Sequence, residues 1–228
     1  MIHPSTFATM PLSILRCAAL LVLLSTGACM KTPPLVAPDL VRASATIGPD
    51  SFVVHVRASK GEFDIKVHRD WAPRGADRIY YLTRAHYYDG VRFFRAVDNF
   101  VAQFGINGDP KVNAAWKESA FPDDSVRRSN VRGTVSFATG GPNTRTVQLF
   151  INYKDNARLD PRGFAVFGQV VSGMSVVDNL YKGYGEGAPR GKGPDQDRIE
   201  KEGNAYLIKE FPLLDYIITA RVTEAWPK

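Results

Sequence analysis

The first apolar feature of the chain is continuous. Cys17-Ala18-Ala19-Leu20-Leu21-Val22-Leu23-Leu24 follows Arg16 and runs into the small residues Ser25-Thr26-Gly27-Ala28 before Cys29. A basic residue, a short apolar run and then small residues is the order of a secretory signal, and the run falls far short of the roughly 20 residues that a membrane-spanning helix needs. Residues 1–28 therefore read as a signal peptide; a start at Met10 rather than Met1 would give it a more conventional length. From Met30 to Asp50 no apolar period is sustained and Pro33, Pro34, Pro38 and Pro49 recur, which predicts an extended Pro-rich tether over 29–50. Beyond it, in 51–228, the period changes to two. Residues 52–57 and 62–67 alternate on either side of Ser59-Lys60-Gly61 and predict a hairpin. Pro73 then opens an apolar stripe through Ala76, Ile79, Tyr80 and Leu82, predicting a helix to about Ala85. Short β-type runs follow at 92–97, 100–105, 133–138, 147–152, 165–170 and 216–222, with helices expected over 174–181 and about 204–210. Many short strands with Gly and Pro turns and few helices predict a mainly β domain, a barrel or sandwich.

Composition narrows the function. Without the leader about 200 residues remain, one ordinary domain, and 44% hydrophobic with 23% charged residues lies in the globular range, excluding disordered and polytopic membrane classes. The formal charge of +6 is dispersed, with no run of five basic residues, so it reads as a solvated surface and not a nucleic-acid footprint. Cys17 and Cys29 are the two cysteines. Nothing downstream can therefore form an internal disulfide, a thiolate zinc site or a cysteine nucleophile. His3, His55, His68 and His86 include no i, i+4 pair, so neither a metal nor any cofactor is expected.

Thr26-Gly27-Ala28-Cys29 resembles the bacterial lipobox, with Thr where the first position is usually Leu. The resemblance implies a lipid-modified Cys29 that holds the protein on the cell envelope. An acylated cysteine also accounts for an unpaired thiol in an oxidising compartment. Met30 gives no retention signal, which makes the periplasmic face of the outer membrane the default. A secreted protein with a free thiol is the alternative.

The densest unusual grouping is Phe93-Phe94-Arg95, Phe100-Val101-Ala102-Gln103 and Gln148-Leu149-Phe150. Residues two apart in a strand share a face, so if these strands adjoin, one cation, two amides and several rings converge. On pattern alone, plain core with Arg95 reaching solvent is an equal reading.

Tyr87-Tyr88-Asp89-Gly90-Val91 with Phe93 and Arg95, Phe100-Val101-Ala102-Gln103 with Gly105, Gly133 with Val135-Ser136-Phe137-Ala138, Gly141-Pro142-Asn143-Thr144, Gln148-Leu149-Phe150-Ile151 and Phe167-Gly168-Gln169-Val170 resemble the motifs of cyclophilin-type peptidyl-prolyl cis-trans isomerases, in order and spacing, from about Val54 to Val222. The resemblance implies a closed eight-stranded antiparallel β-barrel capped by two α-helices, with the substrate groove outside. It makes Arg95 the catalytic residue. Phe100, Phe150 and Leu159 become the floor and walls of a proline pocket, Gln103 and Gln148 its polar contacts, and Ala138 and Thr139 the strand edge that pairs with substrate backbone. Val101 stands where the commonest members have Met and Phe164 where they have His, so the pocket stays apolar. Arg158 replaces a frequent Trp, implying weak binding of cyclosporin-type ligands, and Phe94 replaces a frequent His. Residues 183–211 resemble an insertion of some bacterial members; the glycine-rich part, 183–203, lacks the Ser or Thr of a phosphate loop and reads as a surface insertion. The implied function is isomerisation of X-Pro bonds in exported proteins by a monomer whose partners are proline-containing polypeptides. A weakly catalytic Pro-binding chaperone and an envelope lipoprotein with a structural barrel are the alternatives.

Overall fold

The computed structural model describes residues 40–227; the expected signal peptide, Cys29 and most of the expected tether lie outside them. The hairpin forms as expected from β1 (Ser51–Ala58) and β2 (Gly61–His68), paired antiparallel along their whole length. Alternation decides which side chains go in: Phe52, Val54, Val56, Phe63, Ile65 and Val67 are buried while Arg57 and Glu62 stay out. The last part of the expected tether is not extended. Residues Leu40–Ala45 form a helix, α1, that packs against α2 (Pro73–Arg84), with Ala43 buried. The backbone N–H of Gly48 donates to Asp77 Oδ1 at 2.8 Å, so the domain begins before residue 50.

In α2, Pro73 occupies the first turn and Ala76, Ile79 and Leu82 form the buried face. Its N-cap, Ala72, has no side chain to receive the free N–H groups of that turn. Asp124 does so from a distant loop, accepting from Arg74 N at 3.0 Å and Gly75 N at 2.9 Å.

The remaining strands are β3 (Arg95–Val97), β4 (Val101–Phe104), β5 (Thr134–Phe137), β6 (Leu149–Asn152), β7 (Val166–Ser172) and β8 (Ile217–Trp226). All join one antiparallel sheet in the order β3-β4-β6-β5-β7-β2-β1-β8. The sheet curls around the main core but does not close as the expected barrel. Its edges meet at a bridge between Arg92 and Tyr216, flanked by hydrogen bonds from Phe93 N to Asp215 O (2.9 Å) and Ile217 N to Val91 O (2.8 Å). Both edge strands start just after that crossing. Antiparallel chains run apart from such a point, so β3 and β8 extend in opposite directions and share no ladder.

The helices also differ from the expected two. The segment 174–181 is helical only over Met174–Asp178 (α4), because Asp215 Oδ2 accepts the Tyr181 N–H at 2.7 Å and draws the chain out of the helix. The insertion supplies α5 (Gln196–Glu210), which starts eight residues earlier than the pattern suggested and kinks at Gly203 (φ 61°, ψ −146°). A Cβ there would collide with the carbonyl of Gly108, just ahead of α3 (Pro110–Lys117), against which α5 packs. Ile199, Tyr206 and Leu207 of α5 join Phe94, Ile106 and Leu214 in a second core outside the sheet.

Candidate active site

The pleat sorts β4 and β6 into two faces. Ala102, Phe104, Leu149 and Ile151 enter the main core, whereas Val101 and Phe150 form a separate cluster with Leu159 on the outer face. Register then lines up the functional side chains. Arg95 on β3 pairs with Gln103 on β4, which pairs with Phe150 on β6. A cavity of about 420 Å³ opens over this row.

All ten residues expected at the site line that cavity. At its apolar end Val101, Phe150 and Leu159 are buried, with Phe100, Ala138 and Phe164 packed on them. Phe164 meets Phe150 edge-on with ring centroids 5.5 Å apart. Leu159 sits in a 3₁₀ turn (Ala157–Arg162) secured by Asp160, which accepts from Asn130 N at 2.9 Å and Asn130 Nδ2 at 2.8 Å. Burial raises the Asp160 pKa, but the bonds from Ser129 and Asn130 outweigh it and hold it below the usual carboxylate range. At the polar end Arg95 Nη1 donates to Gln103 Oε1 at 3.0 Å, and Gln103 Nε2 donates to Gln148 Oε1 at 2.9 Å. This chain fixes the orientation of the Gln103 amide, its oxygen toward the guanidinium and its NH2 toward Gln148. Ala138 donates its N–H to the Gln148 carbonyl at 2.9 Å, which places Thr139 at the groove's lip. Arg95 and Arg158 lie 5.4 Å and 4.8 Å from the Phe100 ring centroid. Phe94, next to Arg95, is buried in the second core and takes no part in the groove.

Three groups of the insertion were missed by the sequence reading. Arg190 and Gln196 line the groove. Glu186 accepts from Arg95 Nε at 2.6 Å and from Arg95 Nη2 at 2.7 Å, a two-pronged ion pair. The hydrogen bond from Arg95, opposed by partial burial, holds the Glu186 carboxyl below its ordinary range. Arg162 also lines the groove, and the one sequence hint of it was its place four residues after Arg158.

The family model "Cyclophilin type peptidyl-prolyl cis-trans isomerase/CLD" matches residues 53–203. The chain belongs to the cyclophilin-type peptidyl-prolyl cis-trans isomerases. It is 33% identical over 136 residues to a peptidyl-prolyl cis-trans isomerase of Acinetobacter baylyi, covering 56% of this chain and 71% of the relative. It is also 33% identical over 136 residues to the human peptidyl-prolyl cis-trans isomerase-like 3, covering 57% and 81%. In fold it resembles a Cryptosporidium parvum cyclophilin type peptidyl-prolyl cis-trans isomerase, with a TM-score of 0.57 at 20% identity over 76% of this chain and 98% of that one. The same protein was also solved in the presence of the dipeptide Ala-Pro, and that structure matches with a TM-score of 0.54 at 18% identity. The matched segment of this cyclophilin contains Arg95, Glu186 and every lining residue named above.

Proposed function

We propose that this cyclophilin accelerates rotation about X-Pro bonds in exported or envelope proteins, gripping the proline ring between Phe100, Phe150, Leu159 and Phe164 while Arg95 hydrogen-bonds the twisted amide. The observation that carries this reading is the Arg95 guanidinium, anchored on Gln103, in the same cavity as the apolar cluster of Val101, Phe150 and Leu159. Twisting an X-Pro amide costs about 18 to 20 kcal/mol in lost resonance, so the uncatalysed bond turns in tens to hundreds of seconds. Bringing about 100 s to about 1 ms needs roughly 7 kcal/mol of preferential binding to the twisted form. No proton moves and no covalent bond forms. An apolar floor that withholds water strengthens every hydrogen bond made above it, and a guanidinium presents its donors in one rigid plane toward the pyramidal nitrogen and its carbonyl. Isomerisation of a proline tetrapeptide by the protein lacking residues 1–28 tests the reading. Binding of the peptide without turnover would favour the weakly catalytic chaperone instead.

None of the cavity-lining residues is a histidine, cysteine, tyrosine or carboxylate, and Glu186 beside it is held below the usual carboxylate range. Turnover is therefore expected to stay nearly flat from about pH 6 to 9. A depressed carboxyl protonates only as pH falls through its folded-state pKa, so any loss from the Arg95–Glu186 pair belongs below pH 4.5, its ordinary value. A bell-shaped profile within pH 6 to 9, measured with a non-ionisable peptide, would show a titrating group in the chemistry.

The lipobox-like Thr26-Gly27-Ala28-Cys29 supports placement on the envelope by an acylated Cys29, with the outer membrane as the default. Cys29→Ser is expected to move the protein from the membrane to the soluble fraction without altering turnover of the purified protein. Continued pelleting with the envelope would remove lipidation as the anchor.

A further inference from the structure

We propose that Glu186 is the positioning residue of Arg95, and that the glycine-rich loop carrying it is a working part of the groove. The proposal rests on the reading of Arg95 as the group that bonds the twisted amide. Glu186 takes the Nε and one Nη2 hydrogen of Arg95, and Gln103 takes one on Nη1. A guanidinium carries five N–H groups, so among the described residues one on Nη1 and one on Nη2 are left for a substrate. Arg95 and Gln103 line the cavity; Glu186 does not. The carboxylate thus grips the guanidinium without lining the cavity, the arrangement of a brace and not of a plug.

The brace is itself rigidly built. The Glu186 carbonyl accepts the Gly193 N–H at 2.8 Å, the Gly187 N–H reaches Glu186 Oε1 at 3.0 Å, and Gly191 N donates to the Gly187 carbonyl at 3.0 Å. A Cβ at Gly191 would collide with the Glu186 carbonyl, so the loop can wind this tightly only with glycine there. Tyr184 packs edge-on against Tyr181 and Phe211, each with centroids 5.0 Å away, tying the loop to the second core. The pair is also more sheltered than a surface ion pair, with the Arg95 side chain 12% exposed. An arginine side chain has several rotatable bonds whose freedom is lost on being aimed. Fixing it in the free enzyme removes that cost from the step that twists the amide.

Turnover and KM for a proline tetrapeptide, measured on Glu186→Ala, Glu186→Gln, Arg95→Ala and the Arg95→Ala/Glu186→Ala double variant, test the assignment. We expect Glu186→Ala to lower kcat about tenfold with KM within twofold. Glu186→Gln, which keeps one accepting oxygen and nearly the same volume, should fall between it and wild type. The double variant should be no slower than Arg95→Ala alone, since a brace acts only through what it holds. Wild-type kcat in a folded Glu186→Gln and Glu186→Ala would overturn the proposal. So would equal slowing in both backgrounds, which would mark a purely structural loop, or faster turnover, which would mark an inhibitory carboxylate. If Glu186→Ala fails to fold, the Gln variant alone decides, in both backgrounds. Wild-type turnover in Arg95→Ala would instead refute the reading of Arg95 on which the proposal stands.

Discussion

Arg95→Ala is expected to lower kcat/KM at least tenfold while the protein keeps its fold and thermal stability close to wild type. The loss comes from the transition state: a single preorganised donor in a water-excluded site supplies about 2.7–4 kcal/mol, and tenfold needs only about 1.4. The fold should survive because the Arg95 side chain lies in the groove while the neighbouring Ala96 faces inward, 3% exposed. Gln103 would still be held by Gln148, and the orphaned Glu186 carboxylate, 31% exposed, can be solvated where it stands. Peptide isomerisation, with circular dichroism to verify folding, checks it; turnover near wild type in a folded Arg95→Ala protein would refute the mechanism.

The largest loss of stability is expected from Asp124→Ala. The carboxylate is 2% exposed and has two tasks. It accepts the N–H groups of Arg74 and Gly75, standing in for the cap that Ala72 cannot provide, and it pairs with Arg145 Nη1 at 3.2 Å. Arg145 is itself 1% exposed and keeps Asp123, the Pro122 carbonyl and the face of the Phe121 ring once Asp124 is gone. Removing one member of such a pair costs about 3–5 kcal/mol. For a chain of this size each kcal/mol lowers Tm by about 2–4 °C, so a fall on the order of 10 °C is expected in thermal unfolding. Asp124→Asn, which keeps an acceptor but loses the charge, should fall between. A change of only 1–2 °C for Asp124→Ala would mean that α2 finds its cap elsewhere.

That capping arrangement shows where sequence reading ended. Pro73 and the stripe Ala76, Ile79 and Leu82 mark α2 because they are neighbours on one helix, and periodicity records neighbours. The group that caps it lies about 50 residues away, and no local pattern distinguishes Asp124 from any surface aspartate. The first half of α5 was hidden for a related reason. The stretch 183–203 reads as a glycine-rich surface segment, and the turns of α5 that precede Gly203 are held by packing on the distant α3. α1 is hidden in the composition because Pro33, Pro34, Pro38 and Pro49 outweigh its few residues, while its stability comes from packing on α2.

The face that each groove strand presents is, by contrast, legible in the chain. Alternation along β4 and β6 obliges Val101, Gln103 and Phe150 to face away from Ala102, Phe104, Leu149 and Ile151, and the family motifs name the same positions. What the chain order alone could not convey is how the sheet ends and what holds Arg95. Whether β3 and β8 zip together depends on where each leaves the crossing at Arg92 and Tyr216, a matter of three-dimensional path. The Glu186–Arg95 contact spans 91 residues. Alternation is written in adjacent residues and survives any arrangement of the rest, so the sequence by itself determined the strands and the face each side chain takes; a bond across 91 residues exists only after the intervening chain has folded, so the tertiary structure alone decided that a glycine-rich insertion would grip the groove's arginine.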